Sequence, residues 1–206
     1  SHTALKATLE ASFATYGPNH LMGNITGNQD RPRFTSLADG SLIPGEDTKL
    51  AGWTRDIQHQ GTEGFERMGY LMAFLMAAPG IPCIYYGDEI SDVGGNDPDN
   101  RRMMRFEGWN DAEAASWKNT SDWIHLRRSR MSLLYGQTTY SENTPGVLEI
   151  RRHYLGEETV VVINTTNESA NIPHEIKEAQ MLIGQADVHL NFVEIPAHTT
   201  AAFGSP

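Results

Sequence analysis

Apolar positions along the chain fall into two regimes. Up to about residue 136 they recur at the three-and-four spacing of helices or gather in short unbroken runs. Beyond it they alternate with polar positions or form β-branched runs. The spacing predicts a first helix over 3–16, which starts with no leader or capping loop before it, as if the chain begins in mid-domain. Gly17-Pro18-Asn19 reads as a turn, and 20–25 as a short buried strand ending in the polar cluster Gly27-Asn28-Gln29-Asp30. A loop rich in Gly, Pro and Asp extends to about residue 56. Phe65, Met68, Leu71, Met72, Leu75 and Met76 then mark the apolar stripe of a second helix, with the methionines as core filling. Pro79-Gly80 stops it. Residues 81–86 form a continuous apolar run, expected to be a strand buried on both faces, and it too ends in charge, at Asp88 and Glu89. A polar, glycine-rich stretch over 91–111 leads to a third helix carrying Trp123, Leu126, Leu133 and Leu134, ended by Tyr135-Gly136.

Helix, strand, helix, strand, helix is the rhythm of parallel α/β units. The strands expected after it lie at 147–154, 159–164, 180–183 and 188–195, with a last piece at 199–203. Turn signals at 142–146 and 165–168 separate them, which reads as a small antiparallel β-sandwich. The expected division is therefore an α/β part over 1–136 and a sandwich over 137–206.

Composition narrows the partners. With 16 Lys and Arg against 26 Asp and Glu the net charge is −10, a field that repels nucleic acid and anionic lipid. The single cysteine, Cys83, excludes an intrachain disulfide and a multi-cysteine metal site. No stretch approaches the about 20 apolar residues that span a bilayer, so a soluble protein is expected, its compartment (periplasmic, secreted or cytoplasmic) left open. The histidines lack metal-ligand spacing, and there is no Ser-His-Asp order, phosphate loop or dinucleotide fingerprint.

The chemistry concentrates in three segments. Gly27-Asn28-Gln29-Asp30-Arg31-Pro32-Arg33-Phe34 resembles the fourth signature of the α-amylase superfamily, glycoside hydrolase family 13, where an Asn-His-Asp is followed closely by Arg-Phe. Gly80-Ile81-Pro82-Cys83-Ile84-Tyr85-Tyr86-Gly87-Asp88-Glu89-Ile90 is similar to that family's eighth barrel strand. Gly94-Gly95-Asn96-Asp97-Pro98-Asp99-Asn100-Arg101-Arg102 resembles the loop after that strand in the neopullulanase and cyclomaltodextrinase-like branch.

The resemblance implies the C-terminal portion of a (β/α)8 TIM barrel, with its active site at the C-terminal ends of the strands, followed by the sandwich. It implies a retaining glycoside hydrolase acting on α-glucans such as starch, maltodextrin or cyclodextrin, of which this segment supplies one of three catalytic carboxylates but neither nucleophile nor acid. Asp30 matches the third acid, whose implied role is to bind the 2- and 3-hydroxyls of the sugar in the −1 subsite. Taken alone it would read as the cap of a turn ahead of Pro32. Gln29 stands where the family has histidine; it can donate and accept but cannot carry positive charge. Asn28 is expected to orient the aspartate or to serve the turn. Asp97 and Arg101 match sugar contacts at the next subsite, with a surface ion pair as the competing reading. Arg33 is expected to pair with nearby carboxylates rather than to react.

No cofactor is expected. The oxygen donors Asn96, Asp97, Asp99 and Asn100 raise calcium as an alternative, although they lack the spacing of a calcium loop. The rival to an enzyme is a non-catalytic amylase-like scaffold or carbohydrate-binding protein, which the loss of the motif histidine would allow. Phe192, Phe203 and Tyr154 are the only rings that could make the sandwich a starch-binding module, and all fit its core pattern better. Finally, a partial barrel would leave an open sheet edge, so self-association is expected.

Overall fold

The structure, a computed structural model, describes residues 2–17 and 21–206. The turn and strand start expected at Pro18, Asn19 and His20 lie outside the described residues. The chain runs α1 (His2–Tyr16), β1 (Gly23–Ile25), α2 (Phe34–Ala38), α3 (Thr48–Thr54), α4 (Glu63–Ala77) and β2 (Ile81–Cys83). Two single 3-10 turns follow at Asp88–Ile90 and Asp99–Arg101, then α5 (Asp111–Ser129) and α6 (Met131–Tyr135). The strands that close the chain are β3 (Gln137–Thr144), β4 (Val147–Tyr154), β5 (Glu157–Asn164), β6 (Ala170–Pro173), β7 (Gln180–Ile183), β8 (Asp187–Val188), β9 (Phe192–Ile195) and β10 (Thr199–Gly204). No helix among the described residues is long and apolar enough to cross a membrane. The chain divides into two compact units, Ser1–Gly23 with Met76–Ile81 and Trp123–Pro206, and Asn24–Leu75 with Pro82–Asp122.

In the first unit, two antiparallel sheets share one core. The order is β3-β4-β5-β10-β7 in one and β6-β9-β8 in the other. Val160 and Val162 of β5 and Ala201 and Phe203 of β10 meet Ile172 of β6 and Val193 and Ile195 of β9 in that core. Val161 and Ile163 are equally buried on the opposite face, where α6 lies against β4 and β5. That two-sided burial explains why β5 reads as an unbroken β-branched run. The β4–β5 hairpin closes through Leu155 and Gly156, both at positive φ, a turn whose twist matches that of the strands it joins. Two strands escaped the sequence pattern. β3 is an edge strand of mostly polar residues that continues through part of the expected 142–146 turn, and β6 is only four residues long. The expected third helix also breaks, because Arg130 is extended and its guanidinium bonds Thr159 Oγ1 at 3.1 Å and the Glu158 carbonyl at 3.1 Å, dividing α5 from α6.

Two buried arginines hold the backbone that ends α4. Arg127 donates to the carbonyls of Met76 (2.6 Å), Ala78 (2.9 Å) and Gly80 (2.7 Å), and Arg152 donates to Ala77 (2.6 Å) and Gly136 (3.1 Å). A helix C-terminus leaves carbonyls unpaired and carries partial negative charge, so cations there satisfy both needs. Burial pulls both guanidinium groups below their ordinary range, Arg152 to about 10, with the like charge of Arg127 adding to the effect.

The second unit holds the loops on which the candidate chemistry sits. β1 and β2, whose first residues Gly23 and Ile81 belong to the first unit, form a two-stranded sheet, and the bonds Ile81 N to Met22 O (2.8 Å) and Thr26 N to Cys83 O (3.1 Å) advance together along both strands, as in a parallel pair. The strand expected over 81–86 is shorter and not buried on both faces. It ends at Cys83, and Ile81 is half exposed, because β2 has one strand neighbour and the chain then turns through Gly87, at φ +89°, into a 3-10 turn. Asp88 and Glu89 are therefore turn residues rather than strand residues.

The loop expected to run to residue 56 contains two short helices. Asp47 caps α3 by accepting from the Lys49 and Leu50 amides, each at 3.0 Å, and Leu42, Ala51, Ile57 and Val93 form a small core beneath the segment. α5 opens on a reciprocal cap, Glu113 N to Asn110 Oδ1 at 3.0 Å and Asn110 N to Glu113 Oε2 at 2.9 Å.

Removing the larger carbonyl clamp is expected to be costly. Arg127→Ala leaves three buried carbonyls without their donor and should lower unfolding free energy by on the order of 3 kcal/mol. Urea denaturation followed by circular dichroism measures it; a loss below ~1 kcal/mol would contradict the clamp.

Candidate active site

The residues that the sequence singled out stand on loops held by a buried ion pair. Arg33 and Asp88 are both almost wholly buried, with Arg33 Nη1 2.9 Å from Asp88 Oδ1. Thr26 donates its hydroxyl to the other carboxylate oxygen at 2.6 Å and accepts the Tyr85 amide at 3.0 Å. Burial pushes the Asp88 carboxyl above its usual range, and the Thr26 hydroxyl and the Arg33 charge pull against that rise.

Arg33 also donates to the carbonyls of Tyr86 (2.5 Å) and Asn100 (3.1 Å), and its guanidinium lies over the rings of Tyr85 and Tyr86 at 4.4 and 5.0 Å. Gly87 is required beside it: a Cβ there would stand 3.3 Å from both terminal nitrogens, on a backbone already at positive φ. One side chain thus joins the loop after β1, the loop after β2 and the 94–102 segment.

Asn100 completes the junction. Fully buried, it donates Nδ2 to the carbonyls of Asn28 (3.2 Å) and Arg31 (2.7 Å), while Gly94 O accepts the Arg33 amide at 3.2 Å. The 94–102 segment is in this way laced along 28–33.

On that base the structure brings together all five residues picked from the sequence. Asn28 Oδ1 accepts the Asp30 backbone amide at 2.9 Å, which makes an Asx turn. Gln29 Nε2 donates to Asp30 Oδ2 at 3.1 Å. Arg101 donates Nε to the Gln29 carbonyl at 3.1 Å and places Nη2 3.5 Å from Asp30 Oδ1 and 3.1 Å from Asp97 Oδ1. Asp30 is 69% exposed at its side chain, and Asp97 and Arg101 are partly exposed. The result is an open rim of carboxylate, guanidinium and carboxylate, joined by ion pairs that solvent can reach.

Sequence reasoning missed two members. Lys49 of α3 pairs its Nζ with Asp97 Oδ2 at 3.3 Å, so Asp97 lies between two cations. It came from a segment read as loop, and no motif pointed to it. Asn100 was noted only as an oxygen donor for calcium, and its amide is instead the strut described above.

The calcium alternative does not fit this arrangement. Asp97 faces Lys49 and Arg101, and Asp99 is engaged by Arg102 at 2.9 and 3.0 Å and by the Gly95 amide at 2.6 Å. Among the described residues no three His, Cys, Asp or Glu side chains gather to hold a metal ion.

Comparison with known proteins gives consistent relatives. The chain is 30% identical over 154 residues to a cyclomaltodextrinase from Thermoanaerobacter pseudethanolicus, covering 73% of this chain and 22% of that protein. It is 33% identical over 170 residues to a cyclomaltodextrin glucanotransferase from Bacillus sp. strain 17-1, covering 82% and 20%. Among solved structures, the α-amylase of Geobacillus thermoleovorans complexed with acarbose superposes with a TM-score of 0.74 at 25% identity, over 96% of this chain and 42% of that one. No protein-family model matches the chain. The chain spans about a fifth of the length of these two sequence relatives and corresponds to the C-terminal portion of such proteins.

The buried pair and the exposed pairs should respond very differently to mutation. Arg33→Met strands a buried carboxylate and is expected to cost roughly 3–5 kcal/mol, whereas Arg101→Ala, at an exposed pair, should cost less than about 1 kcal/mol. Parallel urea titrations of the two variants measure this, and equal losses would contradict the assignment of Arg33 as the anchor.

Proposed function

The chain belongs to the α-amylase superfamily, glycoside hydrolase family 13, and we propose that it forms the part of an α-glucan hydrolase that holds the sugar at the −1 subsite and its neighbour. In this reading β1 and β2 are the seventh and eighth strands of a (β/α)8 barrel, and a division near 136/137 separates barrel from sandwich. Supporting it is the gathering of Asp30, Gln29, Asp97 and Arg101 on one open rim.

Asp30 accepts the 2- and 3-hydroxyls of the reacting sugar, bonds that shorten as the ring flattens and positive charge grows at the anomeric carbon. Arg101 then exchanges its loose 3.5 Å contact with Asp30 for a sugar hydroxyl, and with Asp97 it binds vicinal hydroxyls of the next unit. Gln29, fixed to Asp30, adds a neutral donor where histidine would add a charge. Retaining hydrolysis also needs a nucleophile and an acid, and no segment of these 206 residues resembles the family motifs that carry them. The chain alone therefore binds glucan without cleaving it. The neutral Gln29 is also what favours a second reading, a binding protein that never cleaves.

Calorimetric titration with maltoheptaose tests the binding role. Asp30→Asn is expected to weaken affinity about ten-fold, since a charged hydrogen bond is lost, and unchanged affinity would sink the assignment. Release of reducing sugar by the chain alone would overturn the claim that it cannot cleave. Co-expression with the nucleophile- and acid-bearing segment of a relative separates the two readings, because only the enzyme gains activity.

The two-stranded sheet also bears on assembly. Leu21, Ile25 and Ile81 stand at least half exposed along it, and such an edge seeks pairing. Self-association belongs to the same proposal. Sedimentation velocity should show a coefficient that rises with concentration, and a monomer at high concentration would contradict it.

A further inference from the structure

The rim does not stop at Asp97. Asp30, Arg101, Asp97 and Lys49 form a row of alternating charge, and Lys49 lies on α3, a helix held firmly to the rim-bearing segment. The Thr48 carbonyl accepts the Asn96 amide at 2.9 Å. Gly52 and Gly95 allow the helix to sit against that segment: a Cβ on Gly52 would fall 2.7 Å from Asp99 Cβ, and one on Gly95 2.6 Å from the Thr48 carbonyl oxygen. Ala51 anchors the inner side in the small core with Leu42, Ile57 and Val93. α3 is therefore a fixed wall of the rim.

Its outer side is apolar and uncovered. Trp53 is 68% exposed, and among the described residues its indole makes no ring contact or hydrogen bond; Leu50 beside it is 58% exposed. Residues four apart on a helix stand about 5–6 Å apart at Cβ, so Trp53 follows Lys49 one turn along the same face. A large exposed indole costs hydration free energy unless something flat and partly apolar covers it. A glucopyranose ring presents such a face, with C–H bonds directed at the π system and hydroxyls at its edge for the ammonium of Lys49. Of the exposed apolar groups in this unit, Trp53 continues a row already suited to sugar hydroxyls, which selects a glucan as its occupant.

We propose that Lys49 and Trp53 form an outer subsite in which a further glucose unit of the α-glucan stacks on the indole, so that longer chains are preferred over maltose. This rests on the reading of the rim as the glucan site.

The test compares calorimetric affinities of the whole chain for maltose and maltoheptaose. The native chain is expected to favour maltoheptaose. Trp53→Ala should lower the ratio of the two affinities five- to ten-fold, and Trp53→Tyr should restore most of it, because a ring of the same kind is back. Circular dichroism verifies that each variant is folded, which the exposure of Trp53 makes the expected result. A ratio in Trp53→Ala within two-fold of native, with both sugars still bound, overturns the outer subsite and leaves the rim reading intact. Absence of binding to either sugar in the native chain overturns the rim reading, and the outer subsite with it.

Discussion

The buried contact between Arg33 and Asp88 is the constraint on which the candidate site depends. An ion pair this far from water survives only when its remaining donors and acceptors are largely used. Here most of them are: Thr26 serves the carboxylate, two carbonyls take Nε and Nη1 of the guanidinium, and two tyrosine rings cover its face, while Nη2 is buried without a hydrogen-bond partner among the described residues. Because those partners come from three separate loops, satisfying the charge also fixes the loops. The exposed pairs of Asp30, Arg101 and Asp97 lack the energy to do so. They are weak enough to be exchanged for hydroxyls, which is what the proposed glucan-binding role requires of them. In the proposed reading, stability and recognition thus fall to different charges a few residues apart.

The same device recurs in the unit with the antiparallel sheets. Arg127 and Arg152 are buried against backbone carbonyls rather than carboxylates, and they organise the chain between α4 and β2 as Arg33 organises the loops of the rim. In each case a planar, permanently charged group with several donors gathers carbonyls from consecutive or adjoining segments, which lysine, with a single point of charge, cannot do.

Much of this was readable in the sequence, for physical reasons that differ by element. The stripe from Phe65 to Met76 and the β-branched run of β5 announce α4 and β5 because burial on a regular backbone imposes its own period. α2 and α3 did not announce themselves, being five and seven residues long, too short for a period to emerge. β3 was hidden by its polar edge position, and the run over 81–86 misled because apolar content alone does not say how many neighbours a strand has. At the site, Asn28, Gln29, Asp30, Asp97 and Arg101 came from resemblance to known motifs, and the structure places them side by side although Gln29 and Arg101 are 72 positions apart. The Asn100 strut and Lys49 were not legible, since each acts through a contact between distant segments that no local pattern encodes.

The claim that a buried charge positions an exposed rim is tested most directly by Arg33→Lys. That variant keeps a positive charge near Asp88 and every rim residue, but cannot reach both carbonyls and the carboxylate together. Maltoheptaose affinity, measured calorimetrically on protein verified as folded, is expected to fall about ten-fold or more although Asp30, Gln29, Asp97 and Arg101 are all present. Native affinity in that variant would show that the rim holds its own geometry and would contradict the account.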